Sequence, residues 1–158
     1  MLKCIVICCG CSLIVWLIVL LITKKDKQKR NVLSELVYIT STTELVDGSK
    51  FIRIIAVSAQ KASERYGKLQ GILHPDKTLL LSDVIVNTPF RKKGIGSDLL
   101  TEFISFAKSN DVKEIYGNLS TVDDANITHA FYKKFGFEIK MLDEERDDNI
   151  YATIHKYF

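Results

Sequence analysis

The sequence predicts a mixed α/β (α+β) fold: a mostly antiparallel central sheet carrying one parallel β-α-β unit, preceded by one N-terminal transmembrane helix. Three observations lead there. Residues 4–22, "CIVICCGCSLIVWLIVLLI", form an uncharged apolar run. Four segments rich in β-branched and aromatic residues follow, separated by polar or turn-forming stretches. From Ser97 the period changes, with Leu99, Leu100, Phe103, Ile104 and Ala107 recurring at spacings of three and four.

The apolar run is long enough, at ~1.5 Å per residue, to cross a hydrocarbon layer of ~30 Å. Twelve of its residues are Ile, Leu or Val. At roughly −0.3 to −0.6 kcal/mol each, they favour insertion by about 4–7 kcal/mol. It lacks the short core and small-residue cleavage site of a secretory signal. "KKDKQKR" follows at 24–30. The positive-inside rule then predicts a single-pass membrane protein whose C-terminal body faces the cytoplasm, with the lipid bilayer as a partner through residues 4–22. The expected organisation is a transmembrane helix at 1–23, a basic juxtamembrane linker at 24–32 and one domain at 33–158.

Charge supports that division. The net charge of +3 hides six Lys/Arg and one Asp before residue 31, leaving 16 basic and 18 acidic residues in the body. A slightly acidic body offers no nucleic-acid surface. All four cysteines, Cys4, Cys8, Cys9 and Cys11, lie in the apolar run, with no companion ligands for zinc and no disulfide framework. They read as small apolar fillers or as S-acylation sites.

Along the body, "ELVYIT" and "FIRIIAVSA" predict strands near 35–40 and 51–58, and "QKASERYG" a turn or short helix. "KLQGILH" and "TLLLSDVIV" predict the next two strands, turned by "HPDK" and closing an antiparallel meander. The amphipathic helix from Ser97 ends at "SND", residues 109–111, and "VKEIYGNLS" is the following strand, parallel to the one before because a helix joins them. "DDAN" supplies an N-cap for the helix "ITHAFYKKF", and Gly136 a C′ residue. "GFEIKML" and "NIYATIHKY" predict a closing hairpin across the acidic loop "DEERDDN". The three histidines, His74, His129 and His155, lack metal-site spacing and read as structural, so no metal is expected.

The chemistry-bearing stretch is "RKKGIGSDLL", residues 91–100. It places three cations and two glycines between a strand and a helix. Glycines let the backbone turn its N–H groups toward one point, and the helix start adds unpaired N–H groups and a positive dipole end. Such a turn suits a phosphate-bearing ligand; the plainer reading is a strand–helix connection with surface lysines.

Two motifs together give a resemblance. Arg91-x-x-Gly94-x-Gly96 resembles the pyrophosphate loop of the GNAT (GCN5-related) N-acetyltransferase family, and "HAFYKKFGF", 129–137, resembles that family's second stretch, a Phe-Tyr pair followed by Gly-Phe. The motifs cover about 78–138, and the family's strand order fits most of 33–158. The resemblance implies an acyl-CoA N-acyltransferase fold and an enzyme moving an acetyl group from acetyl-CoA to an amine acceptor by direct attack on the thioester; the apolar segment, which lies outside the resemblance, would make it membrane-anchored. Its alternative is a non-catalytic acyl-CoA-binding module. For the co-substrate it implies backbone N–H groups around Lys92, Gly94, Ile95, Gly96 and Ser97 on the pyrophosphate, with Arg91, Lys92 and Lys93 adding positive field. Val84, Ile85 and Val86 would pair with the pantetheine arm, which enters where this strand splays from the next near Asn118–Ser120. Tyr132 would protonate the leaving thiolate, and donors near Val84 would polarise the carbonyl.

The pattern also departs from the family. Its glutamate base would fall at Ser82 or Leu80, leaving Asp83 as the acid on that strand, either a base facing the cleft or a solvated carboxylate. Its cofactor-contacting asparagine would fall at Ala125, one residue before Asn126. The helices that usually separate the first two strands are replaced by "STTELVDGSK". The acidic stretch at 143–148 would favour a cationic acceptor if it borders the cleft.

Overall fold

The structure is a computed structural model and describes residues 36–61, 63–143 and 149–158. Seven strands form one sheet in the order β1-β2-β3-β4-β5-β7-β6. They are β1 (Leu36–Glu44), β2 (Lys50–Ser58), β3 (Arg65–Leu73), β4 (Thr78–Val86), β5 (Glu114–Ser120), β6 (Glu138–Met141) and β7 (Ile150–Tyr157). A 3-10 turn at Thr88–Phe90 and helix α1 (Ile95–Ser109) join β4 to β5, and helix α2 (Ala125–Lys134) joins β5 to β6. The β2-β3-β4 meander is antiparallel, β4–β5 is parallel, and β7 runs antiparallel to both β5 and β6. This is the fold class the periodicity predicts.

Period-two alternation sorts the meander into two faces. Ile52, Ile54, Ala56, Leu69, Leu79 and Leu81 are buried. Helix α1 packs on that face with Ile95, Leu99, Leu100, Phe103 and Ala107, each large side chain contributing about 1.5–3 kcal/mol. The approach is close at Gly71, where a Cβ would lie 2.6 Å from both Leu80 O and Phe103 Cζ. Phe51, Ile55, Lys68, Gln70, Ile72 and Leu80 point to the other face and are only half-buried. β1 and β2 are separated by the short turn at 45–49, so no helix stands between them to cover this second face.

Several boundaries differ from expectation. β1 runs on to Glu44, because Thr and Ser suit an edge strand whose side chains are largely exposed. β3 begins at Arg65, inside "QKASERYG", because pairing of Val57 with Arg65 extends the ladder. α1 begins at Ile95, since Gly94 already takes the cap position.

The expectation of a single-pass membrane protein with a cytoplasmic catalytic domain is corrected. Among the described residues no helix is long and apolar enough to cross a membrane. The segment on which that expectation rested, 1–23, and the basic linker at 24–32 lie outside the described residues. The acidic loop at 144–148 also lies outside them.

The histidines are all hydrogen-bonded. His74 is held by Ser49 Oγ at 3.3 Å and Tyr116 OH at 3.2 Å, His129 by Tyr151 OH at 3.1 Å, and His155 by Glu114 at 2.6 Å and Thr153 at 2.9 Å. Among the described residues no group of three or more His, Cys, Asp or Glu is placed to hold a metal ion.

The contact at Gly71 gives a test of the packing. Gly71→Ala must displace the β4 carbonyl or the Phe103 ring, and urea unfolding should show a loss of about 1–3 kcal/mol, the usual cost of overpacking.

Candidate active site

The site begins with an irregularity in β4. Gln70 faces Asp83 and Gly71 faces Leu81, so Ser82 is an extra residue that bulges from the ladder. The bulge reverses the alternation beyond it. Val84 and Val86 take up the face of Leu79 and Leu81, while Asp83 and Ile85 join the face of Gln70 and Lys68. On its other edge, β4 pairs with β5 only from Thr78↔Glu114 to Leu81↔Gly117. Beyond that point the strands part. β4 runs on to Val86 and β5 to Ser120 with no pairing between them, as expected for the splay near Asn118–Ser120.

At the end of β4 the chain turns into α1. Lys92 and Gly94 both have positive φ, at 59° and 92°, a conformation that glycine adopts without steric cost. Gly94 is the N-cap residue and supplies no side chain to the helix start, although Asp98 N–H bonds Gly94 O at 3.0 Å. α2 is closed differently: the Asp124 carboxylate accepts from Asn126 N–H at 3.0 Å and Ile127 N–H at 3.2 Å. One helix caps itself, and the other leaves its first N–H groups and dipole facing outward.

The end of β4 beyond its pairing with β5 and the open helix end share one cavity of about 530 Å³, within the range of small-molecule sites. Asp83, Val84, Ile85, Val86, Arg91, Lys92, Gly94, Ile95, Gly96, Ser97 and Tyr132 line it, which brings together eleven of the residues expected from the sequence. Two others stand apart. Lys93 Nζ lies 5.3 Å from the centre of the Phe90 ring, and Asn126 is exposed with its N–H taken by Asp124. Phe90, Asp123, Ile127, Thr128 and Phe131 complete the lining. These were missed because only tertiary packing sets α2 beside the loop. The Phe-Tyr pair was a partial signal for Phe131.

Gly96 passes a test of fit for a phosphate-bearing co-substrate. A Cβ there would meet Val86 Cγ2 at 3.6 Å and the Phe131 ring at 3.9 Å, ordinary contacts that the chain itself would tolerate. Packing within the chain therefore does not demand a glycine here, and without a side chain the approach to the helix end is open. Arg91 Nε donates to Val86 O at 3.0 Å, fixing one cation at the strand end.

Tyr132 is half-buried, edge-on to Phe131 at 5.1 Å and Phe137 at 5.6 Å. Burial, followed by the carboxylates of Asp123 and Asp83, pushes its phenol up to about 12. It stays protonated at ordinary pH and can act as a proton donor. Asp83 Oδ2 lies 3.9 Å from Lys68 Nζ, with both side chains 41% exposed, so the pair contributes little to stability and leaves the carboxylate accessible.

The fold is that of solved GNAT acetyltransferases. A GNAT-family acetyltransferase from Staphylococcus aureus superposes with a TM-score of 0.56 at 19% identity, over 70% of this chain and 69% of that one. The PaiA N-acetyltransferase of Thermoplasma acidophilum, solved with coenzyme A, gives 0.54 at 18% over 68% and 61%. A Bacillus subtilis acetyltransferase, also solved with CoA, gives 0.55 at 16% over 68% and 77%. No curated protein sequence matches the chain. The acetyltransferase (GNAT) domain model matches residues 49–139, more than half of the sequence. The chain belongs to the GNAT acetyltransferase family, and its class is that of acetyl-CoA-dependent acyltransferases.

The raised phenol has a measurable consequence. A group kept neutral by burial stabilises the fold fully below its unfolded pKa and loses that contribution as pH rises through the folded one. Compared with Tyr132→Phe, the wild-type chain should lose stability between pH 10 and about 12, followed by chemical unfolding at stepped pH. A constant difference across that interval would mean the phenol is not shielded.

Proposed function

We propose that the chain transfers an acetyl group from acetyl-CoA to an amine by direct attack on the thioester. The observation that carries this reading is the open N-terminus of α1 beside the unpaired edge of β4, within one cavity. The diphosphate binds the N–H groups of Gly94–Ser97 with Arg91 and Lys92 alongside, and the pantetheine arm lies along Val84–Val86 between the parted strands. Backbone donors near Val84 polarise the carbonyl.

The amine nitrogen bonds to the carbonyl carbon as the carbon–sulfur bond breaks. Tyr132 gives its proton to the departing thiolate, and the nitrogen's proton passes to Asp83 directly or through water. Holding the two substrates together supplies much of the rate.

A non-catalytic acyl-CoA-binding module is the second reading, favoured by one observation: the positions of the family glutamate hold Leu80 and the bulged Ser82. The two separate cleanly in the full-length chain. Calorimetry should show acetyl-CoA binding that Gly96→Asp abolishes, because a carboxylate would fill the cradle with the wrong charge. With an amine panel, Tyr132→Phe should keep that binding and lower kcat by about 10²-fold. Binding without CoA release on any amine would leave the module, and no binding by a folded chain would refute both.

A further inference from the structure

On the face of the sheet opposite α1 lies a second concavity, of about 360 Å³, lined by Arg53, Ile55, Arg65, Gly67, Lys68, Ile85 and Asn87. Its floor is the cross-strand row Ile55, Lys68 and Ile85, neighbours on β2, β3 and β4. Arg53 and Arg65 flank this floor, and Lys68 lies within it between the two isoleucines. Lys68 is engaged by Gln70 at 2.6 Å and by Asp83 at 3.9 Å. Arg53 sits 5.3 Å over the Phe51 ring, and neither it nor Arg65 is paired with a carboxylate among the described residues. The backbone beneath Arg65 is fixed, because Asn87 Nδ2 donates to its carbonyl at 2.7 Å and Asn87 N–H to Tyr66 O at 2.9 Å. Two guanidinium groups on one sheet face, neither paired with a carboxylate among the described residues, have the chemistry to take a planar oxyanion.

The groove adjoins the cavity described above. Ile85 lines both, and Lys68, on the groove, reaches Asp83, on the cavity. The Ser82 bulge is what turns Asp83 and Ile85 to this face. A thioester arm entering beside α1 would occupy the gap from the helical face, leaving the groove face for the second substrate.

We infer that the groove is the acceptor site and that the acceptor is a small zwitterion, an amine tethered to a carboxylate or phosphate. The amine faces Asp83 and the anionic group faces Arg65 and Arg53. This rests on the acetyltransfer reading. The volume suits a small molecule at the lower end of ligand-site sizes. The charge pattern opposes a polyamine, whose second cation would meet the guanidinium groups.

The test uses the full-length chain saturated with CoA and a series of ω-amino carboxylates of graded length, their carboxamides, the matching ω-amino phosphates, and spermidine. Calorimetric titration should show tighter binding of one of the anionic series than of its neutral counterpart. Arg65→Gln, alone and with Arg53→Gln, should weaken it about tenfold or more while acetyl-CoA affinity holds. With acetyl-CoA present, the same variants should raise KM for the anionic amine with a small effect on kcat. Comparing the carboxylate and phosphate arms identifies the anion. Equal binding of acid and amide, preference for spermidine, or insensitivity to both substitutions would overturn the inference. Absence of turnover with every amine would count against acetyltransfer alone, because the titration still decides the groove.

Discussion

β4 cannot satisfy two partners along its whole length. On one edge it stays with β3 to Val86, and on the other it leaves β5 after Leu81. Beyond that point its free edge carries backbone donors and acceptors that must find water or a ligand, since unpaired backbone groups in a closed interior cost several kcal/mol. The Ser82 bulge sits at the point of parting and reverses the faces of the residues beyond it. Val84 and Val86 thereby stay with the helical face, while Asp83 and Ile85 turn to the open one. Cavity, carboxylate and groove all follow from this one irregularity.

The helix that follows completes the arrangement. α1 is anchored by its own core face, with Leu99, Leu100 and Phe103 fully buried, so its N-terminus is held at a fixed place. Gly94 gives the positive φ that the turn requires, and Gly96 leaves room in front of the first N–H groups. The family's chemistry asks for little beyond such positioning and a proton donor. Tyr132, kept neutral by burial, is suited to that role.

Much of the fold was legible because its signals are local. Alternation in "FIRIIAVSA" and the three-and-four spacing after Ser97 depend on neighbours in sequence, and so does the glycine spacing at 94 and 96. Residues that meet across the fold were not legible. Phe90, Asp123 and Phe131 are drawn from three separate segments that only the folded chain brings to one cavity, and the Phe-Tyr pair hinted at Phe131 alone. Asn126, one residue past the family's asparagine position, lies outside the cavity lining, and its backbone N–H goes to the Asp124 cap. The face of Asp83 was undecidable because a bulge at Ser82 leaves no sequence trace. Arg53 and Arg65 lie twelve residues apart and line one groove only because β2 and β3 pair.

The central claim is that the parted edge of β4 and the open start of α1 receive one ligand together. Amide hydrogen exchange, read residue by residue with and without acetyl-CoA, tests it most directly. The amides of Ser82–Val86 that do not pair with β3, together with those of Ile95–Ser97, should slow on binding, while β6 and β7 should hardly change. Binding that leaves both segments unaltered, or protects one without the other, would contradict the claim.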